Sequence, residues 1–153
     1  MVKVHKIKYD WLSATEGKPH KVTQDCKIIL SASIDQKPCN IYITIMAGFK
    51  TDGLSVPRIF RWFLPSWEPY NPIYNLAGII HDWLYSVKGN CIFDRSECDD
   101  IFRGILRESG LGRFKAGMAD WCVGMFAGNE RHWGNDSLNV ARYGRMELRM
   151  KNG

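Results

Sequence analysis

Apolar residues recur at every second position through much of the first half of the chain and at every third or fourth position later, which divides the molecule into strands followed by helices. Residues 22–34 have the β-branched content of a strand, and Ile41-Tyr42-Ile43-Thr44-Ile45-Met46 resumes as a second. Lys37-Pro38-Cys39-Asn40 reads as the turn between them. Residues 2–9 alternate valine and lysine with other residues and supply a third strand. From 51 to 72 the chain is dense in Gly53, Pro57, Pro65, Pro69 and Pro72, a composition that favours an ordered connection over regular elements.

Beyond that loop the spacing is helical. Ile73, Leu76, Ile80, Trp83, Leu84 and Val87 share a face, and Gly89-Asn90 ends the run. A second helix is expected to start near Ser96, with Asp99 reaching back in a capping box, and to stop at Gly110. A third, from about 114 to 130, places Met118, Trp121, Cys122, Met125 and Phe126 together. Residues 137–153 show only weak helical periodicity and are expected to form a basic tail. The pattern thus predicts one α+β domain over 1–136: a small antiparallel N-terminal sheet, then a three-helix subdomain containing an antiparallel helical hairpin. The chain has neither internal repeats nor low-complexity segments.

Composition narrows the class. With 153 residues, 45% hydrophobic and 24% charged, the chain matches an ordinary globular domain. No apolar run approaches the roughly 20 residues that span a bilayer, and the start lacks the apolar core of a secretory signal. Synthesis in a reducing cytoplasm is therefore expected, with Cys26, Cys39, Cys91, Cys98 and Cys122 as buried or loop thiols rather than disulfides or a zinc site. The net charge of +5 permits anionic partners. No nucleic-acid motif accompanies it, so no specific nucleic-acid binding is expected, and Arg142, Arg145, Arg149 and Lys151 read as a solvated cluster.

Candidate chemistry concentrates in His81-Asp82-Trp83-Leu84-Tyr85 and the following Asp99. On a helix His81 and Tyr85 share a face, whereas Asp82 points about 100° away from His81. An antiparallel hairpin would return Asp99 to His81, fixing its tautomer and leaving the other ring nitrogen to deprotonate water. Asp82, with Asp52 as a second carboxylate, would be available to a hard cation. A purely structural arrangement accounts for the same residues: His81 and Asp82 would hold the loop through Thr51, Asp52 or Ser55, while Arg58 and Arg95 pair with Asp82 or Asp99. Ser55 is not a nucleophile elbow, because Pro57 follows it and no helix begins there. His5, His20 and His132 read as surface or loop histidines. Trp62, Trp67, Trp83, Trp121 and Trp133 read as core, with Trp62 and Trp67 as an alternative apolar rim.

The helix motif resembles that of calcium-dependent secretory phospholipases, whose H-D-x-x-Y is followed on an antiparallel helix by D-x-x-F, here Asp99 and Phe102. The disulfide-free parvoviral capsid version is similar in spacing. The resemblance implies His81 as general base, Asp82 as ligand of a Ca2+ ion, and Tyr85 and Asp99 as the supporting network. The place of the glycine-rich calcium loop is taken by Leu64-Pro65-Ser66-Trp67-Glu68-Pro69-Tyr70-Asn71-Pro72, without glycine.

A wider resemblance covers residues 45–134. Phe49-Lys50-Thr51-Asp52-Gly53-Leu54-Ser55-Val56-Pro57-Arg58, the His81 motif, Arg95 with Asp99 and Phe102, and Gly128 with Trp133 resemble domain of unknown function 1353. That resemblance implies a bacteriophage or prophage setting. Two expectations follow: a phospholipase-like hydrolase acting on lipid esters of the host envelope, or a non-catalytic virion or tail-associated subunit docking on other phage proteins. The expected places are the host cytoplasm and the virion, with a homo-oligomer left open.

Overall fold

The computed structural model describes residues 1–53, 64–122 and 133–152. Four strands form one antiparallel sheet in the order β1-β3-β4-β6, from β1 (Val2–Tyr9), β3 (Cys26–Ile34), β4 (Lys37–Ile45) and β6 (Gly144–Met150). The short strands β2 (His20–Lys21) and β5 (Lys50–Thr51) pair separately. Alternation explains the main sheet. Ile28, Leu30 and Ala32 of β3 and Cys39, Ile41, Ile43 and Ile45 of β4 are buried on one face, while their neighbours in sequence point to the other.

The β3–β4 turn differs from expectation. Ile34 pairs with Lys37, so the turn is Asp35-Gln36, both at positive φ (47° and 69°). Two successive left-handed residues match the right-handed twist of the strands they join. Lys37-Pro38-Cys39-Asn40 therefore belongs to β4.

The C-terminal segment also departs from the expected tail. Gly144–Met150 forms the sheet's last strand, paired with β4 from Ile45↔Gly144 to Cys39↔Met150. The governing period is two: Met146 and Leu148 pack towards the core, whereas Arg145, Glu147 and Arg149 face outward.

The buried face carries two helices, α1 (Pro72–Ser86) and α2 (Arg95–Glu108). Asn71 caps α1 by accepting from the Tyr74 amide, with Pro72 at the first helical position. Asn71 Nδ2 donates to the Ser109 carbonyl at the far end of α2, while Tyr85 near the end of α1 reaches Asp99 near the start of α2. The pair is therefore the expected antiparallel hairpin. It sits directly on the sheet: a Cβ at Gly104 of α2 would come within 2.5 Å of the Val4 Cβ on β1. Trp83 of α1 is fully buried and donates to the Ala141 carbonyl beside β6.

The helical cover of the sheet is this pair, not a three-helix subdomain. A further helical segment, α3 (Arg113–Cys122), follows α2, and the remainder of the expected third helix lies outside the described residues. Among the described residues no helix is long and apolar enough to cross a membrane. All five cysteines are free, and Cys91 is the exposed one.

Candidate functional site

The start of α2 decides which partner Asp99 has. Asp94, not Ser96, caps this helix: its side chain accepts from the Glu97 amide while Glu97 accepts from the Asp94 amide. The capping box is thus two residues earlier than the sequence suggested. Asp99 lies inside the helix, with its carboxylate turned towards α1.

There His81 Nε2 stands 3.1 Å from Asp99 Oδ1, and the Tyr85 hydroxyl donates to the same oxygen at 2.7 Å. Aromatic rings fix the imidazole. Tyr85 lies 4.2 Å and Phe102 4.8 Å from its centroid, each tilted against it. Helical spacing produces both contacts, since Tyr85 is one turn beyond His81 and Phe102 one turn beyond Asp99. Trp133, far along the chain, meets Tyr85 edge-on at 5.1 Å, and the Gly134 amide donates to the Tyr85 carbonyl. The packing role of Trp133 on Tyr85 had no local signal, because nothing in the periodicity of either segment encodes a contact over that separation.

The electrostatics follow from burial and partners. Burial alone would push Asp99 up, but hydrogen bonds from His81 and Tyr85 and the charges of His81 and Arg103 together hold its carboxyl below the usual aspartate range. Burial and the bond to Asp99 drive the Tyr85 phenol upward, so it stays a donor. An ionised Asp99 can only accept, which places the imidazole proton on Nε2 and the lone pair on Nδ1. Among the described residues no hydrogen bond engages Nδ1. A tenth of the His81 side chain is exposed.

Asp82 belongs to a different contact. Thr51, fully buried on β5, donates to Asp82 Oδ2 at 3.2 Å and accepts from the Gly53 amide at 2.9 Å. Gly53 has φ +78°, and a Cβ there would lie 2.0 Å from the Ser66 carbonyl oxygen. The glycine is required by close backbone approach as well as by its conformation. Burial raises the Asp82 carboxyl to about 6, and the charge of exposed Asp52 adds to the rise, while His81 and Thr51 oppose it.

The structure brings Thr51 against Asp82, with Asp52 near enough for its charge to act on that carboxyl, yet as a cation site their donor set is poor. Calcium takes six to eight oxygens, and among the described residues no group of three or more His, Cys, Asp or Glu side chains is arranged to hold a metal. These residues do not fit the implied ion, and Asp82 acts as a latch between α1 and β5. Ser55 and Arg58 lie outside the described residues. Arg95, half-buried at the start of α2, acts on the Tyr85 phenol through its charge. His20 departs from its expected surface role: it is buried, stacked on Trp67 at 4.1 Å, with Nδ1 against the Thr15 carbonyl.

No curated protein and no solved structure matches the chain significantly. One family model does, described as Protein of unknown function (DUF1353), over residues 27–123. The match begins earlier than the motifs suggested, taking in β3 and β4 as well as the loop and the helical hairpin. It ends before Gly128 and Trp133. Since it covers well over half of the chain, the protein belongs to the DUF1353 family.

Proposed function

We propose that the protein is a hydrolase of lipid esters in which His81 is the general base. The observation that carries this reading is the Tyr85–Asp99–His81 network, which leaves the Nδ1 lone pair without a hydrogen bond among the described residues. Asp99 orients the ring and stabilises the imidazolium that forms during turnover, as the acid partner does in hydrolytic triads. Tyr85 and Phe102 restrict the ring to that orientation.

In the reaction a water bound at Nδ1 gives its proton to His81 as its oxygen attacks the ester carbonyl. Collapse of the tetrahedral intermediate breaks the acyl C–O bond, and His81 returns the proton to the departing alkoxide. The products are a fatty acid and the deacylated alcohol. No step requires a cation at Asp82. The resemblance to secretory phospholipases favours a phospholipid, and the phage setting implied by the motif resemblance favours a host envelope as its source.

The test is fatty-acid release from vesicles of phosphatidylethanolamine and phosphatidylglycerol by the purified protein, with calcium and with chelator. Loss of a general base costs about 10²–10⁴ in rate, so His81→Gln should fall by that factor while retaining its thermal transition. Equal release by wild type and His81→Gln, or none from either, would sink the proposal.

A further inference from the structure

The outer face of the sheet gathers a charge that is scattered along the sequence. The register places Lys3, Lys6 and Lys8 of β1, Lys27 of β3, and Arg145 and Arg149 of β6 on that face. The single carboxylate on the strands of the same face is Glu147, which pairs with Arg149 at 2.6 Å. Six cations against one carboxylate leave the same excess as the whole chain's formal net charge of +5. Asp10, just past β1, adds a carboxylate beside Lys27, so most of the protein's basicity resides on this surface.

The layout is specific. The cations stand chiefly on the two edge strands, β1 and β6, three strand spacings or about 14 Å apart. Between them the floor is mostly polar, with Ile29 and Tyr42 half-buried in it. One row runs Lys6, Ser31, Asn40, Arg149 across all four strands, and the next runs Lys8, Ile29, Tyr42, Glu147. The Arg149 guanidinium lies over the Tyr42 ring at 4.8 Å. Nothing among the described elements covers this face, since both α1 and α2 pack on the opposite one.

We infer that this face binds single-stranded nucleic acid without sequence preference. A chain of phosphates complements two rails of cations, and unpaired bases would find hydroxyl and amide groups on the floor and a guanidinium–phenol pair to stack on. A duplex keeps its base faces stacked inside and would leave that floor unused. An anionic bilayer fits less well. It would lie across the sheet from His81, and the large side chains of the floor, Ile29 and Tyr42, are half-buried in it rather than exposed for insertion. The inference is independent of the hydrolase reading, because none of these residues touches His81, Asp99 or Tyr85. It also stands beside the absence of a nucleic-acid motif, since residues from both ends of the chain make the surface only after folding.

The test is fluorescence anisotropy of a labelled oligothymidylate of about 20 nucleotides with the full chain. With four phosphates neutralised, affinity should fall roughly 50-fold between about 50 mM and about 200 mM salt. Lys6→Glu with Lys8→Glu should weaken binding by at least about tenfold, whereas Arg107→Glu with Lys115→Glu, the same charge change elsewhere, should stay within about twofold. Thermal transitions of both doubles, close to wild type, separate lost binding from lost folding. Absent or salt-insensitive binding, or equal weakening by the two doubles, overturns the inference. So does tighter binding of a duplex of the same length. Retention on phosphatidylglycerol vesicles that depends on Lys6 and Lys8, without oligonucleotide binding, assigns the face to a membrane and overturns it as well.

Discussion

His81 and Asp82 are adjacent in sequence yet serve two different regions of the molecule. Rotation of about 100° per residue turns His81 into the hairpin interior, where Asp99, Tyr85 and Phe102 surround it, and turns Asp82 towards β5, where Thr51 holds it. In the first region a carboxylate is stabilised in its charged form by two donors. In the second, among the described residues, a carboxylate has one donor and a like charge nearby, and burial works against it. Charge is thus well supported beside the proposed general base and poorly supported at the latch. The motif is better understood as two devices back to back than as one active-site cluster.

Removing Asp99 should give the largest effect. Asp99→Ala leaves Nε2 of His81 and the Tyr85 hydroxyl without their acceptor inside the hairpin, each orphaned group costing about 1–3 kcal/mol. We expect a loss of about 3 kcal/mol by urea unfolding at pH 7, together with a fall in hydrolysis of at least about 100-fold. A carboxyl whose folded pKa is depressed contributes stability above the ordinary aspartate value near 3.9 and loses it as pH falls through the folded value. The wild-type advantage over Asp99→Ala should therefore shrink below about pH 4. An unchanged stability difference down to pH 2.5 or so would remove the ionised Asp99 from the account.

The latch should respond with the opposite sign. Asp82 has its folded pKa raised from 3.8 to about 6, so its ionisation costs stability at any pH above that value. Asp82→Asn keeps an acceptor for Thr51 and deletes the charge. We expect it to raise stability by about 1–3 kcal/mol at pH 8, the gain fading as pH falls from about 6 to about 4. Hydrolysis should stay within about threefold of wild type, far inside the loss a missing general base gives. Destabilisation by Asp82→Asn would break the contrast between the two regions. A calcium-dependent fall in activity with unchanged stability would instead make Asp82 a cation ligand.

The sequence made one of these regions legible and obscured the other for physical reasons. A helical period, a stop at Gly89-Asn90 and a second helix suffice to bring Asp99 beside His81, because a hairpin of two regular elements leaves little geometric freedom. The capping box illustrates the limit. Ser96/Asp99 and Asp94/Glu97 both satisfy the spacing, and only the orientation of α2 shows that Asp99 is needed elsewhere. Strand β6 did carry a local signal, the alternation of charged and apolar residues from Arg145 to Met150. The segment is too short for that alternation to outweigh the reading of a basic tail. Its pairing with β4 spans about a hundred residues, beyond any local pattern. The basic sheet face was invisible for the same reason, its cations lying at the two ends of the chain.

Tyr85→Phe sharpens the comparison at its finest scale. It deletes one donor to Asp99 and keeps the ring that packs on His81 and Trp133. A single hydrogen bond to a charged acceptor contributes about 1.5–3 kcal/mol net, so this variant should lose about 1.5 kcal/mol and less than about tenfold in hydrolysis. With one of its stabilising donors gone, the Asp99 carboxyl should titrate higher, moving the acid edge of stability upward. The decisive reading is the double variant. If the hydroxyl acts through Asp99, adding Tyr85→Phe to Asp99→Ala should cost nothing further and should recover part of the loss, since the orphaned hydroxyl disappears. Additive losses would show that the hydroxyl contributes independently of Asp99, and the network would reduce to the His81–Asp99 pair.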